Sequence, residues 1–478
     1  VRGMFYWAYD NYLDHAFPAD ELKPLSCRGV DTLGGYSLTL VDALDTLVVL
    51  GNRTEFARQV KWVGENLNFN RNKTISVFET NIRVLGGLLS AHLLATDEAL
   101  GFELEEYEDE LLDLAEDLAR RMLPAFETPT GIPFGSANLK YGVPGNESHV
   151  TSTACAGTLA LEFGILSHLT GDSQFKQLAL RAAKAIWSRR SKLGLVGGHI
   201  DIFTGKWTHK DAGVGTSIDS FYEYLLKAYV LLGDQEYHHM FCQAYASAEQ
   251  HLRSDPWYVE VNMDSGILVW PVFNSLQAFW PGLQAQVGDI TKASRTQRAF
   301  MGIWEKYGFT PETFSLPMKE VAVGHESYPL RPELMESAYH LYRITGDNEF
   351  LQMGRSFVES LRKTRTHCGH AMIDNVVNTT MEDSMESFFL SETLKYLYLL
   401  FDAGAGGDSP FNQQTQNYVF TTEGHVIPVY RNISSLLHFY PTNNATGPRS
   451  KFVAPALRNG SLAARAGAPG LGAHPSTA

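Results

Sequence analysis

Between residues 5 and 401 apolar side chains recur at i, i+3, i+4 and i+7, the spacing that lines one face of a helix. The stretches 82–94, 159–169, 221–232 and 387–400 are apolar almost all round, which predicts helices buried on every side. Others, such as 173–184 and 349–355, keep a polar face and predict outer helices. Helix ends carry a repeated phrase: Leu50-Gly-Asn52, Leu169-Thr-Gly-Asp172, Leu232-Gly-Asp234, Val287-Gly-Asp289 and Ile344-Thr-Gly-Asp347. Gly suits the left-handed position after a helix, and Asn or Asp can cap the next one. The unit is a helical hairpin of roughly 45 to 75 residues, repeated with insertions. Such hairpins stack as an open solenoid or close into a toroid, and alternation of all-apolar with half-polar helices favours the closed, all-α form. Strand alternation is scarce until 417–430, where a β-hairpin is predicted after a Gly-rich linker. The chain therefore divides into one barrel unit over 1–440, hairpin included, and a disordered tail over 441–478 rich in Gly, Ala, Pro, Asn and Ser.

Composition narrows the partners. With 39 Lys and Arg against 53 Asp and Glu the formal charge is −14, which argues against nucleic acid. Apolar runs are interrupted well short of the ~20 residues that span a bilayer, so no transmembrane segment is expected. Sequons of the Asn-x-Ser/Thr type stand at Asn52, Asn72, Asn146, Asn378, Asn432, Asn444 and Asn459, an excess over the roughly three that chance would supply, favouring a glycosylated secretory-pathway protein. Four cysteines are too few for a disulfide scaffold. Cys155 and Cys242 lie in apolar helical stretches and read as buried thiols. Cys27 and Cys368 lie in loop-like segments near opposite ends of the helical region and can pair only if those ends meet, as closure would make them do.

Acidic residues recur at the starts of the apolar helices: Glu79, Asp219 with Glu223, Glu333 with Glu336, and Glu386. Singly, each is explained by capping and the helix dipole. Collectively they would crowd one end of a closed ring, where burying like charges is costly unless they serve a polar ligand, a cation or proton transfer. Aromatic residues around such a pocket suit a sugar, and two carboxyls can cleave a glycoside by acid–base chemistry. No GxSxG, P-loop, HExxH or dinucleotide-binding glycine motif is present.

The motifs Ser37-Leu-Thr-Leu-Val-Asp-Ala-Leu-Asp-Thr-Leu47, Ser76-Val-Phe-Glu-Thr-Asn-Ile-Arg83, Asp219-Ser-Phe-Tyr-Glu223, Tyr328-Pro-Leu-Arg-Pro-Glu333, Met385-Glu-Ser-Phe-Phe389 and Phe420-Thr-Thr-Glu-Gly-His425 resemble the family 47 glycoside hydrolases, Ca²⁺-dependent α-1,2-mannosidases, and within them the branch of ER degradation-enhancing α-mannosidase-like proteins. The resemblance implies an (αα)7 barrel plugged by a C-terminal β-hairpin. It puts Glu79 at the general-acid position with Asp219 as the alternative acid, Glu333 at the general-base position, Arg83, Arg331 and Glu386 against the mannose, and Thr422 on Ca²⁺, whose waters Glu386 and Glu423 would hold. Cys27 and Cys368 match cysteines of the same branch and are expected to form a disulfide. The implied activity is inverting removal of mannose from oligomannose N-glycans of misfolded glycoproteins in the endoplasmic reticulum lumen, marking them for degradation, with an ER protein disulfide oxidoreductase as a candidate partner. A mannose-binding lectin of the same pathway and a processing mannosidase of the ER mannosidase I type are the alternatives. Two departures stand out. The hairpin reads Thr-Thr-Glu-Gly-His where the family more often has Asn-Thr-Glu-Ala-His, which keeps Thr422 and is expected to loosen the turn. Ser217 replaces an arginine that helps select the glycan branch in the ER mannosidase I group.

Overall fold

A computed structural model describes residues 1–414 and 417–429; the expected tail 441–478, the barrel boundary at 440, the last residue of the 417–430 hairpin and the sequons at Asn432, Asn444 and Asn459 lie outside the described residues. Helices alternate between two rings. Outer helices bury one stripe: Arg53–Asn66 buries Phe56, Gln59, Val60 and Val63, spaced as a helix face requires, and its Asn52 side chain caps the N–H of Glu55. Inner helices bury every side: all ten residues of Gly86–Ala95 are buried. Among the described residues seven such pairings occur. The inner segments are Leu38–Asp42 with Leu44–Val49, Val77–Glu79 continuing to Ala95, Thr153–Gly157 with Ala160–Thr170, Asp219–Leu232, Ser275–Phe279 with Trp280–Gln286, Glu333–Thr345, and Phe389–Thr393 with Leu394–Gly404. Arg2–His15, Arg53–Asn66, Glu110–Met122, Gln174–Trp187, Gln235–His251, Ile290–Tyr307 and Asn348–Leu361 form the outer set. Gly171, Gly233 and Gly346 take φ between +67° and +76° after inner helices, and Asp234 and Asp347 cap the outer helices that follow.

The ring closes because Leu394–Gly404 packs against Leu44–Val49, while Arg2–His15 packs on Leu394–Gly404. At this seam Cys27 and Cys368 form a disulfide with Cα atoms 5.7 Å apart, across 341 residues of chain. Trp7 Nε1 donates to the Gly369 carbonyl, the Arg365 guanidinium lies 4.0 Å from the Trp7 ring centroid, and Thr366 Oγ1 donates to the Pro24 carbonyl. The pairing thus belongs to the closure of the barrel.

Two sequence expectations change. Cys155 is buried, but Cys242 is exposed on the outer helix Gln235–His251, on whose polar side it lies 3.4 Å from His238 Nε2. Strand pairing is also more frequent than alternation suggested: besides the expected hairpin, the connections form eight small sheets of two or three strands among the described residues. Strands of two to four residues are too short to show a period of two.

The hairpin Tyr418–Phe420 and Val426–Pro428 is antiparallel, and its tip reaches the inner helices. Val426 N donates to Asp45 Oδ2, Ser90 Oγ donates to the Val426 carbonyl, and Lys395 Nζ donates to the Gly424 carbonyl. The expected loosening of the turn is not seen. Gly424 adopts φ +68°, where a Cβ would come within 3.0 Å of Glu392 Cγ, and Thr421 Oγ1 accepts from the N–H groups of Glu423 and His425. Among the described residues no helix is long and apolar enough to cross a membrane.

Candidate active site

The starts of the inner helices converge on a cavity of about 650 Å³, with the hairpin tip contributing Thr422 and Glu423. The cavity gathers Glu79, Asp219, Glu333, Arg83, Arg331 and Glu386 with those two hairpin residues, so every side chain assigned to the site from the sequence reaches one space; Cys27 and Cys368 stand apart at the seam. Glu223, Glu312, Glu336 and Glu392 join them, making nine carboxylates with two arginines. Phe78, Phe279 and Phe388 supply apolar walls.

Local sequence explains how each acid is presented. Ser76 caps the helix by accepting from Glu79 N at 3.2 Å, which leaves the Glu79 carboxylate free of capping; it accepts instead from Arg83 Nε at 2.8 Å, one helical turn on. Asp219 is the first residue of its helix, and its Oδ1 accepts from Ser220 N at 2.8 Å. Glu333 opens the helix that follows Pro332. Glu386 directly precedes Ser387, whose N–H donates to Glu21 at 2.8 Å. Two non-glycine residues beside these acids are left-handed, Ser217 at φ +73° and Leu330 at φ +67°. Their conformations are held from outside: Ala154 N donates to the Ser217 carbonyl and Thr393 Oγ1 to the Leu330 carbonyl. Backbone strain therefore sits two residues before Asp219 and one before Arg331.

The arginines are fixed by separate partners. Arg83 also donates to Ser387 Oγ at 2.9 Å, approaches Glu423 Oε1 at 3.7 Å and lies over the Phe388 ring. Arg331 forms a two-pronged pair with Glu312, at 2.6 and 2.9 Å. Lys227 pairs with Glu223 and lies 3.9 Å from Glu336. These three cations cannot balance nine carboxylates, and burial raises the proton affinity of several of them. Burial lifts Asp219 to about 7 against the pull of the Ser220 N–H, and lifts Glu333 to about 8 against the pull of Arg331. Burial and then neighbouring carboxylates push Glu392 well above the usual range; burial and the Asp42 and Glu79 charges, opposed by Arg83, do the same to Glu423. A carboxyl near 7 can hand over a proton at neutral pH.

Glu312 and Glu392 carry weight here that the sequence reading missed. Glu392 left a trace, since it is the one acid inside the apolar run Phe388-Phe-Leu-Ser-Glu-Thr-Leu394, whereas Glu312 lies in a loop and becomes visible only through Arg331. Two of the inner helices that bear site residues contain π-helical stretches, Thr80–Leu85 and Phe389–Thr393, a distortion that often accompanies functional sites.

The donor set fits a hard cation. Hydroxyl, carbonyl and carboxylate oxygens surround the hairpin tip, and Glu423 Oε1 is buried with no hydrogen-bond partner among the described residues. Oxygen ligands with surplus negative charge, and no cysteine or histidine at the tip's cavity face among the described residues, match Ca²⁺ better than a soft metal.

The chain is 61% identical over 435 residues to Alpha-mannosidase I MNS4 of Arabidopsis thaliana, covering 91% of this chain and 70% of that protein. It is 47% identical over 444 residues to human ER degradation-enhancing alpha-mannosidase-like protein 2, covering 89% and 76%. A solved structure, the alpha-1,2-mannosidase from Trichoderma reesei, matches with a TM-score of 0.81 at 27% identity, over 90% of this chain and 98% of that one, which makes the fold an α/α barrel. With these likenesses, and with the family's model matching residues 4–429, the chain belongs to glycosyl hydrolase family 47.

Proposed function

We propose that this chain is an inverting α-1,2-mannosidase that trims oligomannose N-glycans of misfolded glycoproteins in the lumen of the endoplasmic reticulum. One observation carries the reading: Asp219, Glu333 and Glu79 share a single cavity with Arg83 and Arg331, walled by aromatic rings and open enough for a pyranose. Asp219 or Glu79 protonates the leaving oxygen, and Glu333 accepts a proton from the attacking water on the other face of the sugar. Arg83, Arg331 and Glu386 bind hydroxyls. In an inverting enzyme the acid and base carboxyls stand ~6.5–9.5 Å apart, leaving room for that water. The hairpin serves as the plug on which the sugar rests. Thr422 would hold Ca²⁺ directly, with Glu386 and Glu423 ordering its waters; when bound, the ion would orient sugar hydroxyls and offset the carboxylate surplus. Similarity to proteins named for ER degradation supports the location and the quality-control role. The Cys27–Cys368 bond offers an ER disulfide oxidoreductase a target, and the barrel with its hairpin acts as one unit.

Incubation of a purified oligomannose glycan with the protein, with and without chelator, tests this. Free mannose should appear, β-anomer first by proton NMR, and should cease with chelator. Binding without release would leave the lectin, and α-mannose as first product would overturn the assigned roles. Equal rates on folded and unfolded glycoproteins would favour the processing enzyme.

A further inference from the structure

Beyond the cavity rim, the three-stranded sheet formed by Val150–Ser152, His199–Asp201 and Trp207–His209 continues the surface outward. Ser152 and His199 are register partners at its inner end, and both line the cavity. Alternate positions Thr151 and Ile200 turn into the core, which leaves Ser152, His199 and His209 on the other face; the His199 and His209 rings lie 4.8 Å apart. At the outer end stands an aromatic cluster. The Phe203 ring lies 4.4 Å from that of His149 and 5.8 Å from that of Phe134. His149 immediately precedes the strand and stands three positions from Ser152, a rise of about 10 Å, or one to two sugar units.

The cluster is built to stay exposed. Phe203 is 41% accessible, yet its backbone is locked: Asp201 Oδ1 accepts from the N–H groups of Phe203 and Thr204 and from Thr204 Oγ1, and Thr130 Oγ1 donates to the Ile202 carbonyl. His149 O accepts from Ile202 N at 2.8 Å, which fixes the two rings together. A rigid aromatic face bordered by hydroxyl and imidazole groups matches a neutral sugar chain, whose C–H faces stack on rings while its hydroxyls seek polar neighbours.

We infer that Phe203, His149 and Phe134 form an outer subsite that holds the oligomannose branch behind the mannose being cleaved. The inference rests on the mannosidase reading of the cavity. The branch runs from the cavity over Ser152 and His199 and lays a pyranose on Phe203. Longer branches gain this contact, and an α-1,2-linked mannose disaccharide is too short to reach it.

The test compares Phe203→Ala and Phe203→Tyr with the parent, each in a Glu333→Gln background so that binding is read without turnover, by calorimetric titration with a linear oligomannose and with the disaccharide. The Ala change should weaken the oligomannose Kd about tenfold, the equivalent of ~1.4 kcal/mol, and Tyr should restore it. The ratio of the two ligands' affinities should fall only in the Ala protein. An oligomannose Kd identical in Ala and parent proteins, or an equal loss for both ligands, would overturn the subsite. Mannose release by the protein with native Glu333 is scored separately: its absence overturns the mannosidase reading, while its presence without Phe203 dependence overturns the subsite alone.

Discussion

Two buried groups of charges meet the same hairpin. In the first, Asp45 accepts from Lys395 at 2.9 Å and from Val426 N at 2.8 Å, while His425 lies 3.2 Å from Asp42 Oδ1, and Ser387 and Ser391 donate to Asp42 Oδ2. Lys395, Asp45 and His425 are wholly buried, and every charge has an opposite one beside it. Burial raises Asp45, but Lys395 and His425 outweigh it and hold the carboxyl down at about 2; burial lowers His425, but Asp42 and Asp45 hold it up at about 9. In the second group the carboxylates outnumber their cations, and Asp219, Glu333, Glu392 and Glu423 are pushed the other way. The same burial therefore yields a strut in one place and a reservoir of unbalanced charge in the other. What separates them is stoichiometry, and surplus charge is what marks a site that works on a ligand.

Neutralising a cavity acid should cost chemistry while sparing stability. Glu333→Gln should cut mannose release from an oligomannose glycan by about 10²–10⁴-fold, the range of a general base, with an unfolding midpoint no lower than the parent's. Next in size is the seam. Replacing Cys27 and Cys368 by Ser should remove on the order of 5 kcal/mol, from the loop-closure entropy of a long loop, read by urea unfolding under non-reducing conditions. Lys395→Met should cost ~3–5 kcal/mol because it strands Asp45, and a cost below about 1 kcal/mol would erase the distinction between strut and reservoir.

Asp45 responds to pH with the opposite sign to the cavity acids, whereas His425 shares theirs. Asp45, depressed in the fold, contributes stability that is present above its ordinary 3.8 and lost as pH falls toward 2; His425, raised, contributes stability present below 6.5 and lost as pH rises through about 9. Glu333 and Asp219 are raised carboxyls, so their contribution is present below about 4 and lost as pH climbs through 7 to 8. In chelator the protein should thus lose a few kcal/mol between pH 5 and 8, at ~1.4 kcal/mol for each tenfold gain in proton affinity, and Glu333→Gln should flatten that slope in a series of urea melts. Smallest of all, if Thr422 holds Ca²⁺ as proposed, Thr422→Ala should weaken the Ca²⁺-induced rise in thermal midpoint about tenfold in Ca²⁺ concentration, since it would remove one of several oxygen ligands.

Much of the barrel was legible because it is written locally. Periodicity tells an inner helix such as Gly86–Ala95 from an outer one such as Arg53–Asn66, since burial on one side or on all sides leaves its mark within a few turns. The Gly-Asp phrases mark the turns for the same reason. The gathering of Glu79, Asp219 and Glu333 follows from their shared place at helix starts, and their roles come from motif resemblance. Cys242 is exposed against expectation because its helix is amphipathic and one apolar neighbourhood does not say which face a residue takes. Glu312 escapes notice because nothing in its loop signals a role until Arg331 is folded against it.

What the sequence determined by itself, then, was the class of helices, their order and the residue types at their ends, all properties of neighbours along the chain. Only the tertiary structure decided which charges are paired. Asp45 meets Lys395 across 350 residues, Arg83 meets Ser387 across 304, and Cys27 meets Cys368 across 341, contacts that exist only once the ring has closed. Whether a buried carboxylate is a strut or a proton donor depends on the sum of the fields around it, and that sum is taken over space, while the pattern of residues is laid out along the chain.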